Sequence, residues 1–266
     1  MAERIPKIIH YCWLSNDPYP EMIQKCIDSW KQAMPDYQFM KWDTTNFDVN
    51  MCNYTRQAFD IKKYTYASDY IRLYALYHYG GIYLDADIKV VKNFEPLLDN
   101  EAFTCFESET SVAAWIFGSS KGNPIFKEFL DYYKDRDFIL PNGQFDSTPN
   151  PVPITATCVE HGLELNHNVK QVLDHITVYP MSYFCPYNPY RSGGDCYSDD
   201  TYAIHLFNGA WIDDETKEIM LYTKKYKDKL GEKLGGHLGA FIYRLKHEGF
   251  FKTVAIYRDK ARNNAK

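Results

Sequence analysis

The junction around residues 79–82 constrains the fold most. A helical pattern covers 53–79, with Tyr70, Leu73, Tyr74 and Tyr77 at i, i+3, i+4 and i+7. It stops at Gly80-Gly81, where a left-handed residue is wanted, and an apolar strand run over 82–91 begins at once. A helix that hands straight to a buried strand has to lie across a sheet, which points to a layered α/β domain. The beginning of the chain repeats the logic. Residues 7–14 (Lys-Ile-Ile-His-Tyr-Cys-Trp-Leu) read as a buried strand. A helix over 21–33 should follow, with Met22, Cys26, Ile27 and Trp30 on one face and a stop at Met34-Pro35-Asp36, then a strand over 37–42.

Further strands are expected over 102–106, 113–117, 176–179 and 202–206, and a helix over 124–133. Four prolines between 140 and 153 predict a long surface loop. The economical architecture is one α/β domain with a mixed central sheet over 1–215 and a basic amphipathic helical extension over 216–266. The length of 266 residues suits that arrangement, and 45% hydrophobic with 24% charged residues excludes long disorder.

Net charge is −5, without the basic field of a nucleic-acid binder. It is unevenly spread: from 217 to 266 thirteen Lys/Arg face five Asp/Glu, about +8, leaving about −13 on the rest. The seven scattered cysteines contain no C-x-x-C pair, which argues for reduced thiols and against zinc or a disulfide scaffold. No run approaches the ~18 apolar residues of a membrane span and no signal-type segment opens the chain, so a cytoplasmic protein is expected.

The chemistry concentrates at Asp85-Ala86-Asp87. On a strand end, alternation puts both carboxylates on one side. Two acids facing one way repel unless a cation sits beside them, as a hard divalent ion that tethers phosphates would. The alternative is a solvated strand end. What surrounds the pair decides: Ala67-Ser68-Asp69-Tyr70-Ile71-Arg72-Leu73 precedes Gly80-Gly81-Ile82-Tyr83-Leu84-Asp85-Ala86-Asp87.

This block, together with Ile5-Pro6-Lys7-Ile8-Ile9-His10-Tyr11-Cys12-Trp13, resembles glycosyltransferase family 32, the DXD-containing sugar transferases, including capsular polysaccharide enzymes. It is also similar to the catalytic core of the large clostridial glucosylating toxins. A weaker echo lies at Ala203-Ile204-His205-Leu206-Phe207-Asn208-Gly209-Ala210-Trp211. The resemblance implies a GT-A fold, in which a Rossmann-like nucleotide-binding half merges with an acceptor half. It implies a retaining, metal-dependent hexosyltransferase using Mn²⁺ or Mg²⁺ and a UDP-sugar: UDP-galactose, UDP-glucose or UDP-N-acetylglucosamine ahead of GDP-mannose. The acceptor it implies is an oligosaccharide or lipid-linked glycan in capsular or exopolysaccharide synthesis.

Carried onto this chain, the resemblance has Trp13 stack on the donor base, the alternative being a core tryptophan. Asp69 and Arg72 hold donor hydroxyls, with Arg72 also able to approach phosphate; their alternative is a surface i, i+3 ion pair. Tyr83 contacts sugar or phosphate, or simply packs in its strand. Asp85 contacts ribose and sugar or reaches the metal through water, Asp87 ligates the metal, and His205 completes the metal site or is structural. The family's usual serine before the late tryptophan is missing, so Asn208 substitutes as the polar contact and Trp211 closes over the diphosphate. Asp85, Asp87 and Arg72 are thus the catalytic candidates, and front-face attack, with the departing phosphate accepting the acceptor's proton, is the implied route.

Two other classes compete. A silent nucleotide-sugar or carbohydrate-binding protein of the same fold would let these positions drift. A metal-dependent phosphohydrolase would need more clustered ligands. In the tail, Leu238, Phe241, Ile242 and Leu245 keep helical spacing among Arg244, Lys246, Lys252, Arg258, Lys260 and Arg262, and Gly249 interrupts the pattern. Such a stretch either lies on an anionic membrane at the inner face of the cell or packs on the domain with its polar side in water.

Overall fold

The structure is a computed structural model and describes residues 4–15, 17–191, 194–209 and 214–263. It has two compact units, Met1–Tyr187 with Cys196–Leu206, and Asn188–Asp195 with Phe207–Lys266.

The first unit opens with β1 (Ile8–Cys12), α1 (Glu21–Ala33) and β2 (Gln38–Trp42), then α2 (Asn53–Asp60), α3 (Tyr64–Tyr79), β3 (Gly81–Leu84) and β4 (Ile88–Val90). It continues through β5 (Ala102–Cys105), β6 (Ile116–Ser119), α4 (Pro124–Asp131), α5 (Pro151–Glu160), β7 (Gln171–Leu173), β8 (Ile176–Tyr179), α6 (Met181–Phe184) and β9 (Ala203–His205). Seven strands form a mixed sheet in the order β2-β1-β3-β6-β5-β8-β7, while β4 and β9 make a separate antiparallel ribbon. The expected α/β class with a mixed central sheet is therefore what the chain adopts.

Strand direction is what builds the site. β1 is parallel to β2 and β3, and β3 and β5 both run antiparallel to β6. The carboxyl ends of β1, β3 and β5 consequently emerge at one sheet edge, the edge where open α/β sheets bind ligands. Trp13, Asp85 and Glu107 all follow those strand ends.

The Gly80-Gly81 junction works as expected and for a steric reason. Both glycines have positive φ (67° and 110°), and a Cβ on Gly81 would lie 2.6 Å from the Ile8 carbonyl oxygen. His10, buried on β1, lies with Nε2 2.8 Å from the Gly80 carbonyl oxygen and accepts the Trp42 indole N–H at Nδ1, 3.1 Å away. One imidazole thereby ties β1 to β2 and to the start of β3.

Several boundaries differ from expectation. The run over 53–79 is two helices, because Lys62 takes φ 60° and its N–H closes on the Phe59 carbonyl. α3 buries far more than a tyrosine stripe: Ala67, Ser68, Asp69, Ile71, Arg72, Leu73, Ala75 and Leu76 are buried, while Tyr70, Tyr74 and Tyr77 are half-buried. Small residues let that helix settle onto the sheet. On α1 the inward residue is Ile23, with Met22 half-buried. The strand expected over 113–117 starts at Ile116, because Thr104 Oγ1 sits 3.1 Å from the Ala113 carbonyl and 3.0 Å from that of Ile116, bowing the chain between them. The proline-rich stretch ends in α5, which begins at Pro151, a position where proline's missing N–H costs nothing.

The second unit contains α7 (Asp214–Leu230), α8 (Glu232–Glu248) and α9 (Phe250–Asn263). α7 and α8 pack closely because α8 presents glycine to α7. A Cβ on Gly235 would fall 2.4 Å from the Tyr226 carbonyl oxygen, and one on Gly239 2.8 Å from Thr223 Cα. Gly249 (φ 83°) separates α8 from α9, as its place in the pattern suggested.

Candidate active site

Asp85 and Asp87 do not share a strand. β3 ends at Leu84, the Asp85 N–H bonds the Trp115 carbonyl (2.9 Å), and the Ile88 N–H returns to the Asp85 carbonyl (3.1 Å), closing a turn. That turn moves the chain from the large sheet into the β4–β9 ribbon. The two acids therefore face different partners, which corrects the expected one-sided pair.

Asp85 belongs to a buried relay. The Tyr83 hydroxyl donates to Asp85 Oδ1 at 2.8 Å, and Arg72 Nη2 lies 3.5 Å from the same oxygen and 3.1 Å from Asp69 Oδ1. Arg72 also donates from Nη2 to Ser68 Oγ (3.1 Å), from Nε to the Ser68 carbonyl and from Nη1 to the Ala114 carbonyl, and it stacks over the Tyr83 ring at 5.0 Å. Its side chain is 4% exposed and that of Asp69 7%, which removes the surface ion pair as an explanation. Charges so buried persist only when paired and fully hydrogen-bonded.

Electrostatics follow from that burial. Desolvation opposes the Arg72 charge, but Asp85, Tyr83 and Asp69 outweigh it and hold the guanidinium protonated. Burial pushes the Asp69 carboxyl up to about 7 against the pull of Arg72. Burial also raises Asp85, with Arg72 opposing and Asp87 adding to the rise. The Asp85 side chain keeps 27% exposure, so one edge of the relay is open to a ligand. Cys12, beside this relay, is driven up to about 12 by burial and stays a thiol.

Asp87 meets His205. β9 pairs with β4 so that His205 lies opposite Ile88, and the Leu206 N–H donates to the Asp87 carbonyl at 3.1 Å. This register brings His205 Nε2 to 3.4 Å from Asp87 Oδ1, with the two side chains 12% and 15% exposed. The ribbon is anchored from below: the Trp30 indole donates to the Ile88 carbonyl (2.6 Å) and Ser29 Oγ accepts the Val90 N–H (3.0 Å).

Among the described residues, no three His, Cys, Asp or Glu side chains converge as a closed metal cage. A carboxylate and an imidazole side by side nevertheless fit a Mn²⁺ or Mg²⁺ that takes its other ligands from phosphate and water. Asp85 stands in the neighbouring relay.

Two residues that sequence reasoning missed sit at this edge. Glu107, just past β5, accepts the Trp115 indole N–H (3.0 Å) and a bond from Ser111 Oγ (3.2 Å). Burial raises Glu107 to about 7, with His205, Ser111 and Trp115 pulling it back and Asp85 adding to the rise. The Trp115 ring packs on His205 at 4.6 Å. Neither residue belongs to a recognisable motif; only the strand-end position of Glu107 hinted at it.

Of the remaining expected residues, Trp13 is half-buried past β1, bonded through its indole N–H to the Asp17 carbonyl and edge-on to Tyr19 at 4.9 Å. Asn208 is exposed and belongs to the second unit. Trp211 lies outside the described residues.

Residues 20–104, from α1 to the middle of β5, match the family described as glycosyltransferase sugar-binding region containing DXD motif. The match covers about a third of the chain. Inositol phosphoceramide mannosyltransferase 3 of Schizosaccharomyces pombe is 30% identical over 47% of this chain and 36% of its own length. Mannosyl phosphorylinositol ceramide synthase CSH1 of Saccharomyces cerevisiae is 34% identical over 51% and 38%. The chain thus spans well under half the length of these relatives. A solved glycosyltransferase structure, PaToxG, aligns with 22% identity and a TM-score of 0.45 over 59% of this chain and 69% of its own. The matched segment contains the whole Asp69–Arg72–Tyr83–Asp85 relay and Asp87; Trp13, Glu107, Trp115 and His205 lie outside it.

Proposed function

We propose that this chain is a retaining glycosyltransferase that moves a sugar from a nucleotide-diphosphate donor to a glycan or lipid-linked acceptor with the help of a divalent cation. The observation carrying the reading is the pairing of two structures at one sheet edge: a buried relay open at Asp85, and beside it the Asp87–His205 pair. The relay offers fixed polar groups to sugar hydroxyls without reorganisation, and the pair offers ligands to a cation.

In this reading Trp13 presents a flat apolar face to the donor base at the end of β1. Asp85, held by Tyr83 and by Arg72 with Asp69 enclosed behind it, orients the ribose and the transferred sugar. Asp87 and His205 hold Mn²⁺ or Mg²⁺. Such a cation, when bound, offsets the negative charge that grows on the leaving diphosphate. Of the candidate nucleophiles described at this edge, Cys12 is held as a thiol by burial, Asp69 is enclosed with Arg72, Glu107 is bonded by Trp115 and Ser111, and Asp85 is engaged by Tyr83 and Arg72. That favours front-face attack, in which the departing phosphate accepts the acceptor's proton.

The donor panel is UDP-galactose, UDP-glucose and UDP-N-acetylglucosamine, to which the relatives named for mannosyl transfer add GDP-mannose. Those relatives are named for an inositol phosphoceramide acceptor, so a sphingolipid headgroup takes its place beside the capsular or exopolysaccharide acceptor. The test is nucleotide release from each donor with and without Mn²⁺, followed by transfer to added acceptors. Release that depends on Mn²⁺ and grows with acceptor is expected; tight nucleotide-sugar binding with no release or transfer would identify a silent binding protein instead.

A further inference from the structure

Exposed apolar side chains gather on two consecutive helices of the second unit. On α8, Leu234, Leu238 and Leu245 are 63%, 37% and 37% exposed, and at the start of α9 Phe250 and Phe251 are 60% and 88% exposed, followed by Val254 at 43%. At 100° per residue, Leu234, Leu238 and Leu245 fall on one stripe of α8, and Phe250, Phe251 and Val254 on one face of α9. The inward side of α9 is marked by buried Thr253, whose hydroxyl donates to the Gly249 carbonyl at 2.8 Å.

The charge along these helices is mainly positive. From 232 to 263 there are seven Lys/Arg and three acids, Glu232, Glu248 and Asp259. Glu248 is bonded by Arg244 at 2.7 Å, with Lys252 at 3.8 Å. Lys233, Lys246, Lys252 and Arg258 are exposed. No helix among the described residues is long and apolar enough to cross a membrane.

We infer that α8 and α9 dock on an anionic lipid surface, with Phe250 and Phe251 inserted at the headgroup level and the surrounding Lys and Arg against lipid phosphates. Exposed aromatics at a helix start, framed by cations, suit a surface that is apolar below and negative above. A protein partner of mixed charge would call for a balanced rim, whereas Lys and Arg outnumber acids by seven to three along α8 and α9. The docking stands independently of the donor and the transfer chemistry.

The test uses the full chain with vesicles of phosphatidylcholine alone and of phosphatidylcholine with about 30% phosphatidylglycerol, read by co-sedimentation. At low salt, binding to the anionic vesicles should be at least tenfold tighter than to the neutral ones. F250S/F251S should lose tenfold or more at unchanged melting temperature, since both side chains are exposed. K246E/K252E should lose the preference for phosphatidylglycerol. Absent binding, parent-like binding by F250S/F251S, or a patch consumed instead by concentration-dependent self-association of the lipid-free chain would each overturn the inference.

Discussion

His10 gives a prediction whose size can be worked out. The ring is buried, accepts the Trp42 indole N–H at Nδ1, and so carries its proton on Nε2, which donates to the Gly80 carbonyl. Burial, opposed by that bond, pulls its pKa down from 6.5 to about 4. A depressed histidine is neutral in the fold, whereas the unfolded chain takes up a proton below pH 6.5. Stability due to His10 is therefore complete above about pH 6.5 and is lost as pH falls towards 4. Integrating the two titrations between pH 7 and 4.5 gives about 2.5 kcal/mol. Replacing His10 by Gln removes this contribution. The carboxyls near Arg72 have the opposite sign, their raised pKa values favouring the fold in acid, so total stability is a poor readout. The difference between parent and H10Q in unfolding free energy, taken from urea titrations, cancels them. That difference should shrink by roughly 2–3 kcal/mol from pH 7 to 4.5. A parent-to-variant gap that stays constant over this range would show that His10 is not held neutral, and the tie between β1, β2 and β3 would have to be redrawn.

Gly81→Ala should cost about 2–4 kcal/mol, because its Cβ meets the Ile8 carbonyl at a φ of 110°. Gly122→Ala, also at positive φ (71°) but with no atom within 4 Å, should cost only about 1 kcal/mol. Equal melting temperatures for the two variants would refute the close-approach argument. Arg72→Lys keeps the charge but loses the planar fork that reaches Asp69, Asp85, Ser68 and Ala114. It should lower stability by about 1–3 kcal/mol and nucleotide-sugar turnover at least tenfold, or about 1.4 kcal/mol in barrier. Parent-like kinetics would dissociate the relay from the chemistry.

The part of the site carried by local spacing was legible in the sequence, and the part made by long-range pairing was not. Gly80-Gly81 announced the helix-to-strand junction because few other residues tolerate those backbone angles. Asp69, Arg72, Tyr83 and Asp85 came from one contiguous motif, and the structure joins them in one hydrogen-bonded relay. The apolar run over 82–91 read as a single strand because alternation continues through it; the turn at Asp85 is dictated by Arg72 and Trp115, 13 residues before and 30 after. The β4–β9 register that brings His205 to Asp87 depends on a strand more than a hundred residues away. Glu107 and Trp115 have no local signature, since their bond lies in the irregular connection between β5 and β6, where no helix or strand period marks it. On α3 the tyrosine stripe suggested a buried face, but small residues on the opposite side decide how the helix seats.

The central claim is that Asp87 and His205 hold the cation that anchors a nucleotide diphosphate. Calorimetric titration of UDP and GDP into the parent and into D87N, each with and without Mn²⁺, addresses it directly. Mn²⁺ should tighten one nucleotide at least tenfold in the parent, about 1.4 kcal/mol, and by less than twofold in D87N at an unchanged melting temperature. A full Mn²⁺-dependent gain in D87N, or none in the parent, would contradict the account.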